Sequence, residues 1–114
     1  MASAPGSVAP GAACINGTWN GTWKDTTDSG NGTFVVNWLQ AGSQLTGTIT
    51  VKGAPCLTTG LVTGTVNGSA ITFGAVSGAV TINYTGSVSG NTMSGTYTAP
   101  TCGDAQGNWS ATKS

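Results

Sequence analysis

The chain has 114 residues, enough for one domain around one core. Only 5% of residues are charged and the net charge is +0, where an average soluble domain carries about 25% charged residues. A neutral chain offers no electrostatic footprint for nucleic acid or anionic lipid, so neither is expected as a partner.

The charged residues are Lys24, Lys52, Lys113, Asp25, Asp28 and Asp104, and Arg, Glu and His are absent. Residues 1–13 are built from Ala, Pro, Gly, Ser and Val without periodicity and read as a flexible tail or linker, leaving 14–114 as the domain. The start has neither a basic nor an apolar leader region. The expectation is an exported protein whose leader has been removed. No run approaches the roughly 18 to 20 apolar residues of a membrane-spanning helix, so no such segment is expected.

From Ile15 onward apolar and hydroxyl residues alternate. Leu45, Gly47, Ile49 and Val51 interleave with Thr46, Thr48 and Thr50, and Val80, Ile82, Tyr84, Gly86 and Val88 with Thr81, Asn83, Thr85 and Ser87. Period 2 of this kind predicts half-buried antiparallel strands. Thr favours the strand through its β-branch while keeping the outer face wet. No 3.6-residue apolar stripe occurs, so helix is excluded. Eight strands are predicted, over 16–24, 32–40, 43–52, 59–66, 69–75, 79–88, 91–98 and 106–112.

The connections after strands two, four and six are tight, and Asn67-Gly68 is a favoured hairpin pair. Those after strands one, three and seven are longer. An up-and-down meander then gathers tight turns at one end and long loops at the other. The predicted fold is all-β, an eight-stranded antiparallel up-and-down barrel, with a two-sheet β-sandwich as the alternative.

Cys56 and Cys102 fall in the third and seventh connections, at the long-loop end, and are expected to form a disulfide. That places the protein in an oxidising compartment: secreted, periplasmic or at the cell surface. Cys14 precedes the first strand and belongs to the opposite end, about 26 Å away along an eight-residue strand. It is left as a free thiol, an intermolecular link or a lipid-anchor point. Ala12-Ala13-Cys14 has the small residues of a lipoprotein cleavage site, but Gly11 stands where Leu is usual and no apolar run precedes it. All three carboxylates, Asp25, Asp28 and Asp104, map to the long-loop end. Asp28-Ser-Gly-Asn-Gly32 offers oxygens of the kind Ca²⁺ takes, without the spacing of an EF-hand. These are also the residues turns use, so the segment reads as a solvated turn and no metal or cofactor is expected.

A triad hydrolase needs a His base, zinc sites need closely spaced Cys and His, and phosphate loops lead into a helix. None of these is present, and loop Asp residues lack the burial that raises a general acid, so no enzyme is expected. The aromatics Trp19, Trp23, Phe34, Trp38, Phe73, Tyr84, Tyr97 and Trp109 lie within strands, mostly in inward phase. They either fill a small barrel or line a ligand cavity in it.

Gly17-Thr-Trp19 and Gly21-Thr-Trp23 resemble the Gly-x-Trp of the first strand of calycin barrels, the lipocalins and avidins. Thr33-Phe-Val-Val36 followed by Leu45-Thr-Gly-Thr48 is similar to the second and third strands of bacterial avidins. Gly95-Thr-Tyr97 and Gly107-Asn-Trp-Ser110 fit the closing strands. The resemblance implies a barrel over residues 15–112 that holds one small ligand. It does not carry over biotin binding, because Asp25, Gly32 and Ile49 stand where the avidin pattern has Asn, Ser and Tyr.

The expectation is a non-enzymatic, extracytoplasmic, lipocalin-like barrel that binds a small, mostly apolar ligand through its long-loop end. The eight aromatics are the contact surface. The alternative is a cell-surface or self-assembling structural module with a Thr-rich neutral exterior. Six Asn-x-Ser/Thr sequons, at Asn16, Asn20, Asn31, Asn67, Asn83 and Asn108, are read as strand sequence in a bacterial protein.

Overall fold

The computed structural model describes residues 13–26, 30–53, 58–77, 80–100 and 105–113. Eight strands follow one another: β1 (Gly17–Asp25), β2 (Asn31–Ala41), β3 (Gln44–Lys52), β4 (Thr59–Asn67), β5 (Ala70–Ser77), β6 (Val80–Ser89), β7 (Thr92–Ala99) and β8 (Ala105–Lys113). Each pairs antiparallel with its neighbours, and β1 pairs with β8, Trp19 opposite Lys113, so the sheet closes into a barrel. That pairing settles the architecture in favour of the barrel over the sandwich. Cys56, Cys102, Asp28 and Asp104 lie outside the described residues.

Register fixes the geometry. Cross-strand partners run from Gln40 through Leu45, Gly64, Phe73, Tyr84, Tyr97, Gly107 and Asp25. This path circles the barrel once and returns to β2 beside Gly30, whose carbonyl accepts the Asp25 N–H at 2.8 Å. The row thus arrives ten residues along β2 from where it began. A stagger of that size over eight strands tilts them about 40° to the barrel axis. One inward-facing row therefore links Gln40 at one pole to Asp25 at the other.

Inward positions are apolar: Val36, Leu45, Ile49, Val62, Val66, Ile71 and Trp19 are all at most 1% exposed. Outward positions among the described residues are mostly Thr, Ser and Asn, with Val35, Leu39 and Leu61 exposed among them, and hydroxyls meet across strands, as in Thr65–Thr72 at 3.1 Å and Thr85–Thr96 at 3.3 Å. This polarity is the reverse of a membrane-spanning barrel, whose outer band is apolar.

The inward glycines pair with rings. Trp23 faces Gly32, Phe34 faces Gly21, Trp38 faces Gly47, Phe73 faces Gly64, Tyr97 faces Gly107 and Trp109 faces Gly95. At Gly21, Gly32 and Gly107 the partner's ring leans over the glycine and an added side chain would collide with it, while at Gly47, Gly64 and Gly95 the neighbouring strand itself comes too close for one. A Cβ on Gly32 would lie 2.8 Å from the Trp23 ring, and one on Gly86 2.8 Å from Trp109 Cζ2. Small-against-large alternation lets six rings enter a narrow barrel.

Candidate functional site

The two poles of the barrel differ. At the tight-turn pole, Gly42, Gly68 and Gly90 adopt φ of 68°, 59° and 60°, the left-handed conformation these turns require. Backbone bonds stitch each turn to a strand beyond it: Val66 N to Ser43 O at 3.0 Å, Val88 N to Ser69 O at 2.8 Å, and Lys113 N to Asn91 O at 2.8 Å.

Residues 13–16 cross this pole as a strap. The Ala13 N–H bonds the Gly68 carbonyl at 2.9 Å. Ile15 is 0% exposed and plugs the end. Gln40 ties the strap down. Its Oε1 accepts the Ile15 N–H at 2.7 Å, and its Nε2 donates to the carbonyls of Ala13 and Gly42, each at 3.0 Å. Its backbone N–H donates to Asn16 Oδ1 at 2.8 Å. Trp19 Nε1 donates to the Ile15 carbonyl at 2.9 Å, fixing the indole beneath the plug. Among the described residues Gln40 is the one buried polar side chain, and its amide uses both ends. Cys14 is free and exposed on this strap.

Rings fill the middle. Phe73 stacks on Tyr84 with centroids 4.5 Å apart and an interplanar angle of 11°. Trp38 meets Phe73 edge to face at 5.0 Å, and Trp109 packs edge-on to Phe73 at 5.4 Å and to Tyr84 at 6.1 Å. Trp109 Nε1 is held by the Thr96 carbonyl at 3.0 Å. Trp38 Nε1 has no hydrogen-bond partner, the one such buried side-chain atom among the described residues. Desolvation by burial raises the Tyr84 hydroxyl well above its ordinary 10.0, so this ring stays neutral throughout the physiological range.

At the opposite pole, Trp23 is half-buried. Its ring lies on Gly32, its Nε1 reaches the Lys52 carbonyl at 3.3 Å, and it stands edge-on to Tyr97 with centroids 6.3 Å apart. The Tyr97 hydroxyl donates to Asp25 Oδ1. Thr26 completes the rim, with its N–H and hydroxyl both directed to the Gln106 carbonyl at 2.7 and 3.2 Å. Asp25 is the only carboxylate among the described residues, and no group of three His, Cys, Asp or Glu forms there.

The eight aromatics read from the sequence as one contact surface therefore separate by position. Trp19 is sealed under the strap, and Phe34, Trp38, Phe73, Tyr84 and Trp109 are packed on one another or on glycines. Trp23 and Tyr97 lie at the long-loop pole. The sequence reading missed Gln40 and Ile15, and it missed the pairing of Asp25 with Tyr97. Gln40 carried a signal, since it continues the inward phase of Phe34, Val36 and Trp38 and is the one polar residue in that series. Ile49, where the avidin pattern has a Tyr, is buried in the core at 1% exposure.

An open groove of about 510 Å³ runs outside the wall along β1, lined by Thr22, Lys24, Asn31, Thr33, Asn108 and Ser110 over the backbone of Trp23, Gly32 and Trp109. Its side chains are largely polar in type, but most of the surface that lines it is apolar, and Trp23 and Trp109 contribute to it. No protein-family model matches the chain, and no curated protein matches it.

Proposed function

We propose that this protein is a non-catalytic, calycin-like binding barrel that takes a small, mostly apolar, ring-bearing ligand at the pole formed by Trp23, Tyr97 and Asp25. The carrying observation is the inequality of the poles. One is plugged by the chain's own residues 13–16, while at the other a half-buried indole stands over a ring-filled interior. Such an indole offers a flat apolar surface, and the neighbouring Tyr–Asp pair supplies a few oriented polar atoms, the composition usual for small-ligand sites. Because rings occupy the middle of the barrel, the ligand rests on the pole and does not pass through it.

Titration with anilinonaphthalene sulfonate, an apolar fluorescent probe, tests this reading. Saturable binding with quenching of tryptophan emission is expected. Trp23→Ala is expected to weaken it at least about tenfold, the loss of one aromatic anchor, at a temperature where circular dichroism shows the variant folded. Absence of saturable binding, or binding indifferent to Trp23→Ala, contradicts the proposal.

Export to an oxidising compartment belongs to the same proposal and rests on Cys56 and Cys102, which the meander assigns to one end. In the native, unreduced protein only Cys14 is expected to react with iodoacetamide, adding one label by mass. Three labels before reduction rule out the cross-link.

A further inference from the structure

The chain holds four Asn-Gly pairs, at Asn16, Asn20, Asn31 and Asn67. In such a pair the following backbone nitrogen can attack the side-chain amide carbon, because glycine has no Cβ to shield that nitrogen and turns freely. Reactivity then depends on whether the fold lets the two atoms meet.

The barrel separates the four. Gly17 is paired with Trp38, Gly21 lies between Phe34 and Ala111, and Gly32 is paired with Trp23. Each of these nitrogens belongs to a paired strand, whose extended backbone holds the preceding Asn side chain away from it. Asn16 is held further, since its Oδ1 accepts the Gln40 N–H at 2.8 Å. Asn67 differs. It forms with Ala70 the last ladder pair of β4 and β5, so Gly68 stands outside the ladder, in the turn. Asn67 is exposed, Gly68 has a φ of 59°, and a Cβ on Gly68 would meet nothing within 4 Å. Rotating the peptide between 67 and 68 disturbs the tip of one hairpin, whereas at the other pairs it opens a wall.

We infer that Asn67 is a site of spontaneous deamidation and that its isoaspartyl product loosens the strap. Hydroxide takes the Gly68 N–H proton, and the nitrogen bonds to Asn67 Cγ. The bond from Cγ to the amide nitrogen breaks, and ammonia leaves with a proton from water, which regenerates hydroxide. Water then opens the cyclic imide. Cleavage at Cγ gives aspartate, and cleavage at the main-chain carbonyl gives isoaspartate, whose backbone runs through Cγ and is longer by one carbon. Either product adds one negative charge to a chain of net charge +0.

The consequence follows from two bonds at this turn. The Gly68 carbonyl accepts the Ala13 N–H at 2.9 Å, and the Ser69 carbonyl accepts the Val88 N–H at 2.8 Å. An extra backbone carbon before Gly68 shifts both carbonyls. The Ala13 bond, at the start of the strap, is the one that parts without opening the wall. None of this depends on ligand binding at the Trp23 pole, which lies at the other end.

Incubation of the folded protein in mildly alkaline buffer tests the site, with peptide mapping against synthetic aspartyl and isoaspartyl peptides. Conversion at Asn67 is expected to be at least about tenfold faster than at Asn16, Asn20 or Asn31, whose strands must open first. In concentrated urea all four are expected to convert at comparable rates. Asn67→Gln, which would have to close a larger ring, is expected to abolish the charge shift on a native gel. In the isolated isoaspartyl protein, exchange of the Ala13 amide is expected to be at least about tenfold faster than in the parent, with Val36 unchanged. Four results overturn the site: Asn67 intact in folded protein while the urea sample converts, equal conversion at the other pairs, a preference for Asn67 that persists in urea, or a charge shift that survives Asn67→Gln. An Ala13 amide as protected in the isoaspartyl form as in the parent overturns the link to the strap.

Discussion

Gly95→Ala is expected to cost about 4 kcal/mol or more, enough to leave the barrel unfolded or to lower its melting temperature by about 15 °C or more. Gly95 lies opposite Gly86 on β6 and opposite Trp109 on β8. A methyl group there would overlap the Thr85 carbonyl oxygen and lie 2.5 Å from Gly86 Cα. Both obstacles are backbone, so no rotamer change relieves them, and the penalty exceeds the roughly 1 to 3 kcal/mol of ordinary overpacking. Parting β6 from β7 also displaces Trp109, which packs against Phe34, Phe73 and Tyr84. Total stability for a domain this size is on the order of 5 to 15 kcal/mol, so a loss of this size is decisive.

The control is Gly74→Ala. Its added methyl would meet nothing closer than the Ile82 carbonyl oxygen at 3.6 Å, and Gly74 faces outward between Phe73 and Ala75. That variant is expected to melt within a few degrees of the parent, with a gain of up to about 0.5 kcal/mol from the stiffer unfolded chain. Thermal denaturation by circular dichroism compares the two. Equal melting temperatures would mean that the close backbone approach of β7 to β6 at Gly95 does not hold the barrel together.

Gln40→Leu is the second large effect. The substitution keeps the volume and removes the amide, stranding the Ile15 N–H and the carbonyls of Ala13 and Gly42 at a buried site. Each unsatisfied buried group costs about 1 to 3 kcal/mol, and release of the strap limits the total to about 3 kcal/mol. The expected result is a melting temperature lower by about 10 to 20 °C. Hydrogen exchange is expected to show the Ile15 amide losing protection while the Phe34 and Val36 amides keep theirs. A Gln40→Leu protein as stable as the parent, with Ile15 still protected, would remove the strap from the account.

The strands were legible because apolar–hydroxyl alternation is local. The predicted 43–52 and 91–98 match Gln44–Lys52 and Thr92–Ala99 to within a residue. The two ends were legible as well from loop length and the order of the meander, although the fifth connection, between Ser77 and Val80, is as short as the tight turns and is placed by that order alone. Closure was not, because alternation is the same in a barrel and a sandwich, and only the pairing of Trp19 with Lys113 separates them. The ring-and-glycine pairs needed register: Gly64 and Phe73 are meaningful only as partners. Gln40 announced itself by phase, but its role required the strap, and nothing in the composition of residues 13–16 foretells that they fold back. The Asp25–Tyr97 bond joins residues 72 apart and follows from the stagger of the barrel, which no local pattern encodes. Sequence reading therefore reached the walls of the candidate site and not its floor.

The central claim, a barrel plugged at one pole and receptive at the other, can be read directly from its four indole N–H groups. Trp19 bonds to the strap, Trp38 is unpaired in the middle, Trp109 bonds to Thr96, and Trp23 bonds to Lys52 at the proposed ligand pole. In a ¹⁵N-correlated spectrum titrated with anilinonaphthalene sulfonate, the Trp23 resonance is expected to move and saturate while those of Trp19 and Trp38 stay in place. Movement of Trp19 or Trp38 with Trp23 unchanged would contradict the account.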